Sequence, residues 1–135
     1  MAKLVLTNPS ITIGGIDLSD HISNITLETK YDIVETTTFG STAKTRVAGL
    51  ADNQITLDFM QDFGSSSVEA TIYPLLGTAT TIIIKPVAGT TTTTNPQYTV
   101  SAVVADWTPL KGAVGTLSTA SVSWPVSGAI TKVTS

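Results

Sequence analysis

The sequence has no cysteine, a single histidine and few charged residues. The lack of cysteine excludes disulfides, thiolate catalysis and cysteine-based zinc sites. Its 7 Lys and Arg residues and 10 Asp and Glu residues give a formal net charge of −3, which argues against nucleic-acid binding through clustered cations. No segment approaches the roughly 18 apolar residues of a membrane span, and the apolar run at 4–6 is too short for a signal peptide. We therefore expect no membrane insertion, and folding in the cytoplasm.

Hydroxyl side chains supply the polarity that charged residues do not. The 135 residues include 25 threonines and 13 serines, whereas only 13% are charged. The hydrophobic share of 41% is too high for an intrinsically disordered chain. Threonine is β-branched and favours extended backbone. The composition therefore indicates a β-rich protein, and the length predicts a single domain over 1–135.

Apolar and polar residues alternate along two segments, 22–30 and 54–63. This period of two is typical of strands with one buried face. Further strand-like segments lie at 3–7, 10–13, 16–18, 31–38, 79–87, 97–107 and 115–126. At residues 31–32 the chain either makes a tight turn or bulge, or the two segments are one long bent strand. We predict a mainly β fold, an antiparallel sandwich or partly open barrel of about seven or eight strands with one short flanking helix.

The flanking helix is predicted over residues 66–76. Ser66 and Glu69 have the spacing of a capping box at its start. Pro74 should break or kink it, because proline lacks the N–H that bonds four residues back. The apolar stripe expected to cover the sheet consists of Val68, Ile72 and Leu75 or Leu76, and we expect Val68, Ile72 and Leu76 to be buried.

A loop of about 15 residues is predicted over 39–53, and loops of this length are usually functional or disordered. It contains two of the seven cations and two large apolar residues: Lys44, Arg46, Val47 and Leu50. We expect the loop to be mobile in the monomer and ordered by contact with another subunit. The alternative is that Val47 and Leu50 pack back onto the core of their own subunit.

No set of residues predicts catalysis, a metal site or a cofactor. His21 lies close to Asp17 and Asp20 in the sequence, but an extended chain would place Asp17 and His21 on one face and Asp20 on the other. There is no G-x-S-x-G nucleophile motif. Trp107 and Trp124 are expected in the core or in an interface. We therefore expect a protein that is not an enzyme and has no catalytic residues, metal ligands or cofactor.

Four stretches in order resemble the major tail tube protein of long-tailed, siphovirus-type bacteriophages. They are ITIGGIDLS at 11–19, VETTTFG at 34–40 with TRVAGLAD at 45–52, YPLLG at 73–77, and SVSWPVSGAIT at 121–131. The resemblance covers nearly the whole chain. This sequence is short for the family, and we expect a bare tube subunit without an appended immunoglobulin-like domain.

The resemblance implies a β-sandwich with a flanking helix that assembles into rings of six subunits. Stacked rings would form a tube, and one sheet from each subunit would join a continuous barrel around the lumen. Double-stranded DNA would pass through the lumen without specific binding. The implied partners are further copies of the chain, a tape-measure protein, a tail terminator and a distal tail protein. The implied location is the virion tail, made and assembled in the host cytoplasm.

The alternation of residues assigns candidate positions in such a tube. The strand faces opposite the apolar residues should line the lumen, and they carry Thr26, Glu28, Thr56 and Asp58. Carboxylates and hydroxyls suit a conduit, because like charge repels phosphate. The loop at 39–53 should make the contact between rings through Lys44, Arg46, Val47 and Leu50.

Two other functions remain open for a small β-rich module. One is a capsid decoration or cement protein, which would not polymerise into tubes. The other is a carbohydrate-binding, adhesin-type β-sandwich, which exposed and coplanar Trp107 and Trp124 side chains would favour.

Overall fold

The computed structural model describes residues 8–65 and 67–134. Ten strands are present in this part of the chain: β1 (Ser10–Ile13), β2 (Ile16–Asp17), β3 (Ile22–Glu28), β4 (Tyr31–Glu35), β5 (Arg46–Ala51), β6 (Gln54–Met60), β7 (Ala79–Lys85), β8 (Gln97–Val103), β9 (Thr119–Pro125) and β10 (Thr131–Val133). One α-helix, α1, spans Val68–Ile72 and continues as a 3₁₀ turn over Tyr73–Leu75; a second 3₁₀ turn spans Ser19–His21. The predicted strand at 3–7 and the predicted cap residue Ser66 lie outside the described residues.

The mainly β, sandwich-like fold that the alternation predicted is confirmed. A five-stranded sheet has the order β10-β8-β7-β1-β2, and a three-stranded sheet has the order β3-β6-β9. All strand pairs within the two sheets are antiparallel. There are more strands than the seven or eight expected, because residues 46–51 and 131–133 also pair.

The core lies between the inner faces of these two sheets. The five-stranded sheet contributes Ile11, Ile13, Ile82, Ile84, Val100 and Ala102, and the three-stranded sheet contributes Ile55, Leu57, Phe59, Ala120, Val122 and Trp124. Each set comes from alternate residues of its strands, as the two-residue period requires. The predicted turn at Gly14 and Gly15 joins β1 to β2; both have positive φ, 60° and 89°, which a two-residue hairpin turn of this kind needs.

The strands β3 and β6 continue beyond the sandwich as a second pair, β4 and β5. Residues 22–35 and 46–60 thus form one long antiparallel ribbon, interrupted near Lys30 and Asp52, where the Asp52 N–H donates to the Lys30 carbonyl at 2.7 Å. The register shifts between Tyr31 and Ile33, as at a β-bulge, and β3 and β4 are separate strands. Of the two alternatives at residues 31–32, the turn or bulge is therefore the one observed. We call residues 31–51 the arm.

The loop predicted over 39–53 is therefore shorter than expected. Arg46–Ala51 is strand β5, in register with β4 through Val34 opposite Val47 and Glu35 opposite Arg46. The two glycines and the small residues of 39–53 masked the strand character of β5. A Cβ at Gly49 would lie 3.3 Å from the Asp32 carbonyl oxygen, so a larger side chain would be crowded at that position.

The helix is also shorter than the predicted 66–76, and its stripe is only partly correct. Val68 and Ile72 are fully buried, whereas Leu76 is 42% exposed. The chain tightens into a 3₁₀ turn at Pro74 and leaves helical geometry at Leu76, where ψ is 127°. The predicted burial of Leu76 is therefore wrong, and Leu75, the other leucine of the predicted stripe, packs against the core.

Replacing Ile72 with alanine should destabilise the fold by about 2–5 kcal/mol, because the side chain is fully buried and its loss leaves a cavity. Leu76→Ala is the matched control on the same segment, and it should cost about 1 kcal/mol or less, since that side chain is already half exposed. Urea unfolding followed by circular dichroism measures both. Equal effects of the two substitutions would contradict the assigned packing.

Candidate assembly surfaces

The outer face of the three-stranded sheet is polar across all three strands. In β3 it presents Asn24, Thr26 and Glu28; in β6, Gln54, Thr56 and Asp58; in β9, Ser121 and Ser123. The register places Thr26 opposite Thr56 and Asp58 opposite Ser121. The four residues predicted for the lumen therefore lie on one continuous surface, which we call the polar face.

Hydroxyl and amide groups bind one another across this face. Thr56 Oγ1 lies 3.3 Å from Ser123 Oγ, and Gln54 Nε2 donates to the same serine oxygen. Such cross-strand pairs each stabilise a sheet by roughly 0.2–1 kcal/mol. Gln54, Thr56 and Ser123 thus link β6 to β9 across this face.

The charge on the polar face is negative. Glu28 and Asp58 are its carboxylates, and β3, β6 and β9 contain no lysine or arginine. Lys30, just beyond β3, lies 3.7 Å from Glu28. Both side chains are more than half exposed, so this pair neutralises little at physiological salt. The face can repel phosphate and offers it no cation along the strands.

Both edges of the three-stranded sheet are free within the described residues. β3 and β9 each pair only with β6. A groove of about 330 Å³ runs beside the β3 edge and is lined mainly by apolar side chains, among them Ile25, Leu27, Ile84, Tyr98 and Ile130. Ile25 and Leu27 face the core but remain partly exposed, because nothing in the described chain covers this edge. Unprotected edges with apolar side chains invite pairing with another chain.

The arm is exposed along its whole length and carries large apolar residues. Tyr31, Ile33, Val34, Phe39, Val47 and Leu50 are all at least half exposed. Val47 is 53% exposed and Leu50 83%, so the alternative in which they pack back onto their own core is wrong. Lys44 approaches Glu35 of the same arm at 3.9 Å. The four residues predicted for contact between rings thus lie on one projecting hairpin or at its tip.

A buried asparagine, which the sequence did not reveal, holds the base of the arm. Asn53 is 2% exposed; its Oδ1 accepts from Thr29 Oγ1 at 2.6 Å, and its Nδ2 donates to the Gly128 carbonyl at 3.1 Å. The Asn53 carbonyl accepts from the Val126 N–H at 3.0 Å. It thus joins both strands of the ribbon to the segment after β9. An asparagine at the end of a predicted loop gave no signal of these distant partners.

His21 forms a small polar cluster at the end of the sheet opposite the arm. Its Nδ1 lies 2.7 Å from Asp20 Oδ1, and its Nε2 lies 2.8 Å from Asp62 Oδ2. The expectation that Asp20 would point away from His21 is wrong, because residues 19–21 form a 3₁₀ turn rather than a strand. Asp62 was not foreseen, since it is 41 residues away in the chain.

The cluster is arranged to join segments rather than to activate a nucleophile. Ser67 Oγ lies 3.4 Å from His21 Nε2, but the same nitrogen is closer to the Asp62 carboxylate. A serine nucleophile needs that nitrogen free to take its proton. Among residues 8–65 and 67–134, no group of three or more His, Cys, Asp or Glu side chains could hold a metal ion. The cluster links the Ser19–His21 turn to the segment before α1.

The electrostatics of the cluster follow from these contacts. Partial burial acts to lower the pKa of His21, but hydrogen bonds with Asp62 and Asp20 and their negative charges outweigh it and raise the pKa. The Gly64 N–H, which donates to Asp62 Oδ1 at 2.8 Å, lowers the pKa of Asp62, with help from Ser67 and His21. The imidazolium–carboxylate pair is thus favoured in the folded state.

The two tryptophans are buried, as expected. Trp124 is fully buried and Trp107 nearly so, and they flank Phe59 with ring centroids 6.2 and 5.5 Å from it. Trp107 Nε1 donates to Glu69 at 2.7 Å, and Trp124 Nε1 donates to the Asp106 carbonyl at 2.9 Å. Neither ring is available as an exposed platform for a sugar, which removes the feature that would have favoured a carbohydrate-binding sandwich.

Within the described chain, no helix is long and apolar enough to cross a membrane.

Comparison with known proteins shows a similarity in structure but none in sequence. The sequence matches no protein-family model, and no curated protein matches it. In structure it is similar to a chain of the anti-feeding prophage (AFP) baseplate, solved by cryo-EM and six-fold symmetrised, with a TM-score of 0.61 and 9% identity. The match covers 98% of this chain and 97% of that chain. At this identity the similarity shows a shared fold.

The His21 cluster predicts a pH-dependent stability. Because the pKa of His21 is raised on folding, its contribution is complete below the ordinary value of about 6.5 and is lost as pH rises through the raised value. Because the pKa of Asp62 is lowered, its contribution is present above its ordinary value of about 3.9 and is lost as pH falls through the lowered value. Their combined contribution is largest between these two ordinary values.

The substitution His21→Gln should therefore reduce the free energy of unfolding more at about pH 5.5 than at about pH 8.5. Asp32→Asn on the arm is the control, and its effect should be the same at both pH values within error. Urea titrations at the two pH values measure the difference. A His21→Gln effect that is equal at both pH values, or larger at the higher one, would refute the charged pair.

Proposed function

We propose that this chain is a structural subunit of a phage tail tube, in which stacked hexameric rings form a conduit for double-stranded DNA. The observation that carries the proposal is the three-stranded sheet, which in the described part of the chain has a polar face whose strands hold no lysine or arginine and two edges without a partner strand. The polar face would line the lumen through Thr26, Glu28, Thr56 and Asp58. The free edge of β3 in one subunit would pair with the free edge of β9 in the next.

The dimensions of such a ring suit DNA. Six copies of the sheet supply 18 strands. With a strand spacing of about 4.8 Å and a tilt of about 40°, a closed barrel of that size is roughly 36 Å across between opposite backbones. Side chains on both walls reduce the opening to roughly 25 Å, which is wide enough for a DNA double helix. Ring closure would also cover the apolar groove beside β3, since each free edge gains a partner.

The arm would make the contact between rings. Its apolar side chains gain nothing from exposure in a monomer, and Lys44, Arg46, Val47 and Leu50 lie where a second subunit can reach them. Its connection to the sandwich through Asn53 gives it a defined direction. Stacking through an arm on one side is a heterologous contact, which continues as an open filament rather than closing.

The structural similarity supports this class of assembly. The similar chain belongs to the six-fold symmetrised baseplate of a prophage. A role in a phage or phage-like tail particle is the broader form of the proposal, and the location is the virion. The specific form of the proposal is a tube that conducts DNA and has the tape-measure, terminator and distal tail proteins as partners. This form rests also on the four sequence stretches that resemble tail tube proteins. A capsid decoration protein is the second candidate, since it too is a small β-rich virion component, but it does not account for the two free edges.

Electron microscopy of the purified protein tests the proposal. The wild-type chain at high concentration should form hollow tubes of uniform width. A variant in which residues 31–51 are replaced by an Asn-Gly turn between Lys30 and Asp52 should fold, because the arm contributes nothing to the core, yet form no tubes. A folded wild-type protein that remains monomeric at all concentrations would contradict the tube. Tubes formed by the armless variant would contradict the role of the arm.

Substitution of the two carboxylates by lysine tests the lumen. The double variant Glu28→Lys, Asp58→Lys should still assemble, but its tubes should retain double-stranded DNA at low salt and release it as salt is raised, because cations on the wall would bind phosphate. The neutral double variant Glu28→Gln, Asp58→Asn is the matched control and should retain no more DNA than wild type. Co-sedimentation of DNA with pelleted tubes measures retention. Equal retention by the lysine and neutral variants would place these residues outside the lumen.

A further inference from the structure

The exposed apolar side chains of this protein are concentrated in two places. Fourteen large apolar residues are exposed in the described part of the chain. Six are on the arm. Five lie at the opposite end of the three-stranded sheet, on a surface that we call the far end: Met60, Phe63, Leu110, Val114 and Leu117. Scattered exposed apolar residues need no explanation, but two concentrations of this kind do.

The far end is built from two loops that leave the sheet together. β6 ends at Met60 and β9 begins at Thr119, and these residues are in register. The Gln61 N–H donates to the Ser118 carbonyl at 3.0 Å, which joins the loop after β6 to the loop before β9. Gln61 Nε2 also donates to the Pro109 carbonyl. The apolar residues of the far end are therefore held on ordered backbone, with Val114 fully exposed.

The arm and the far end lie at opposite ends of the same strands. β6 runs from Gln54, where the arm joins the sheet, to Met60 at the far end, a distance of about 20 Å. A subunit that places its arm on the far end of another copy leaves its own far end free for a third. The two surfaces thus have the polarity that a head-to-tail chain of subunits needs.

The charges of the two surfaces are complementary. The outer part of the arm carries Lys44 and Arg46; Glu35 lies opposite Arg46 and 3.9 Å from Lys44, but the Lys44 and Glu35 side chains are more than half exposed, so this ion pair is weak. Beside Phe63, the far end carries the carboxylates of Asp20 and Asp62, two acids that share His21 as their ion-pair partner, and the Asp20 side chain is 82% exposed. Lys111 is the one lysine or arginine among far-end residues 108–118. Opposite charge around an apolar centre favours one orientation of docking.

From this arrangement we propose that the far end is the surface on which the arm of a second copy of this chain docks. The inference rests on the proposed stacking of rings and identifies the receiving side of that contact. The tip of the arm, with Phe39, seats against the loop that carries Leu110, Val114 and Leu117. Lys44 and Arg46 approach Asp20 and Asp62 of the partner copy.

Cysteine cross-linking tests the contact directly, because the native chain has no cysteine. Phe39→Cys and Val114→Cys are both at fully exposed positions, so each variant should fold as wild type does. The two variants are mixed and treated with a short bis-maleimide. The control mixture pairs Phe39→Cys with Val87→Cys, an exposed apolar position on neither surface. Denaturing gels measure the covalent dimer, and microscopy of the untreated wild type runs alongside.

The mixture of Phe39→Cys and Val114→Cys should give about tenfold more dimer than the control mixture, because docking holds the two thiols at high effective concentration. A chain that carries both substitutions should give a ladder of higher oligomers. Dimer formation by Phe39→Cys alone would indicate arm-to-arm contact and overturn the inference. Hollow tubes without the heterotypic dimer would overturn the inference and leave the tube standing. The heterotypic dimer without hollow tubes would support the contact and contradict the conduit.

Discussion

The central strand β6 and its pairing on both sides are the constraint on which the rest of the structure depends. Its alternation sends Ile55, Leu57 and Phe59 into the core and Thr56 and Asp58 outward. Because β3 and β9 are both hydrogen-bonded to it, their side chains must follow the same alternation. A slip of one residue would bury an aspartate and expose a phenylalanine. The hydrophobic core and the polar face are therefore set by a single register.

The antiparallel ribbon of residues 22–35 and 46–60 packs against the core on one side of Asn53 and is exposed on the other side. On the sandwich side of Asn53, β6 buries Ile55, Leu57 and Phe59, and β3 partly buries alternate apolar side chains, whereas β4 and β5 are exposed throughout. Hydrogen bonds across the arm, including Thr36 N–H to the Thr45 carbonyl at 2.8 Å, hold its shape without a core. An isolated two-stranded hairpin is marginally stable in water. The arm accordingly gains most from a surface supplied by another molecule.

Polar side-chain contacts hold the loops of the far end to one another and to α1. Glu69 in α1 accepts from Trp107 and from Gln61, which joins the helix to two loops. His21 joins the start of β3 to the loop after β6. The Trp107–Glu69 and His21–Asp62 contacts each join segments more than thirty residues apart. They give the far end a fixed shape, which a docking surface requires, since an ordered surface loses less entropy on binding.

The sequence by itself determined the β class, the strands with strict alternation and the composition of the polar face, because a period of two and the burial of apolar side chains are local properties. It also determined that the helix buries the side chains of Val68 and Ile72. Only the tertiary structure decided that residues 46–51 are a strand, since their partner β4 and not their own composition makes them one. It also decided the contacts of His21 with Asp62 and of Asn53 with Gly128, because pairings across 41 and 75 residues depend on the path of the whole chain.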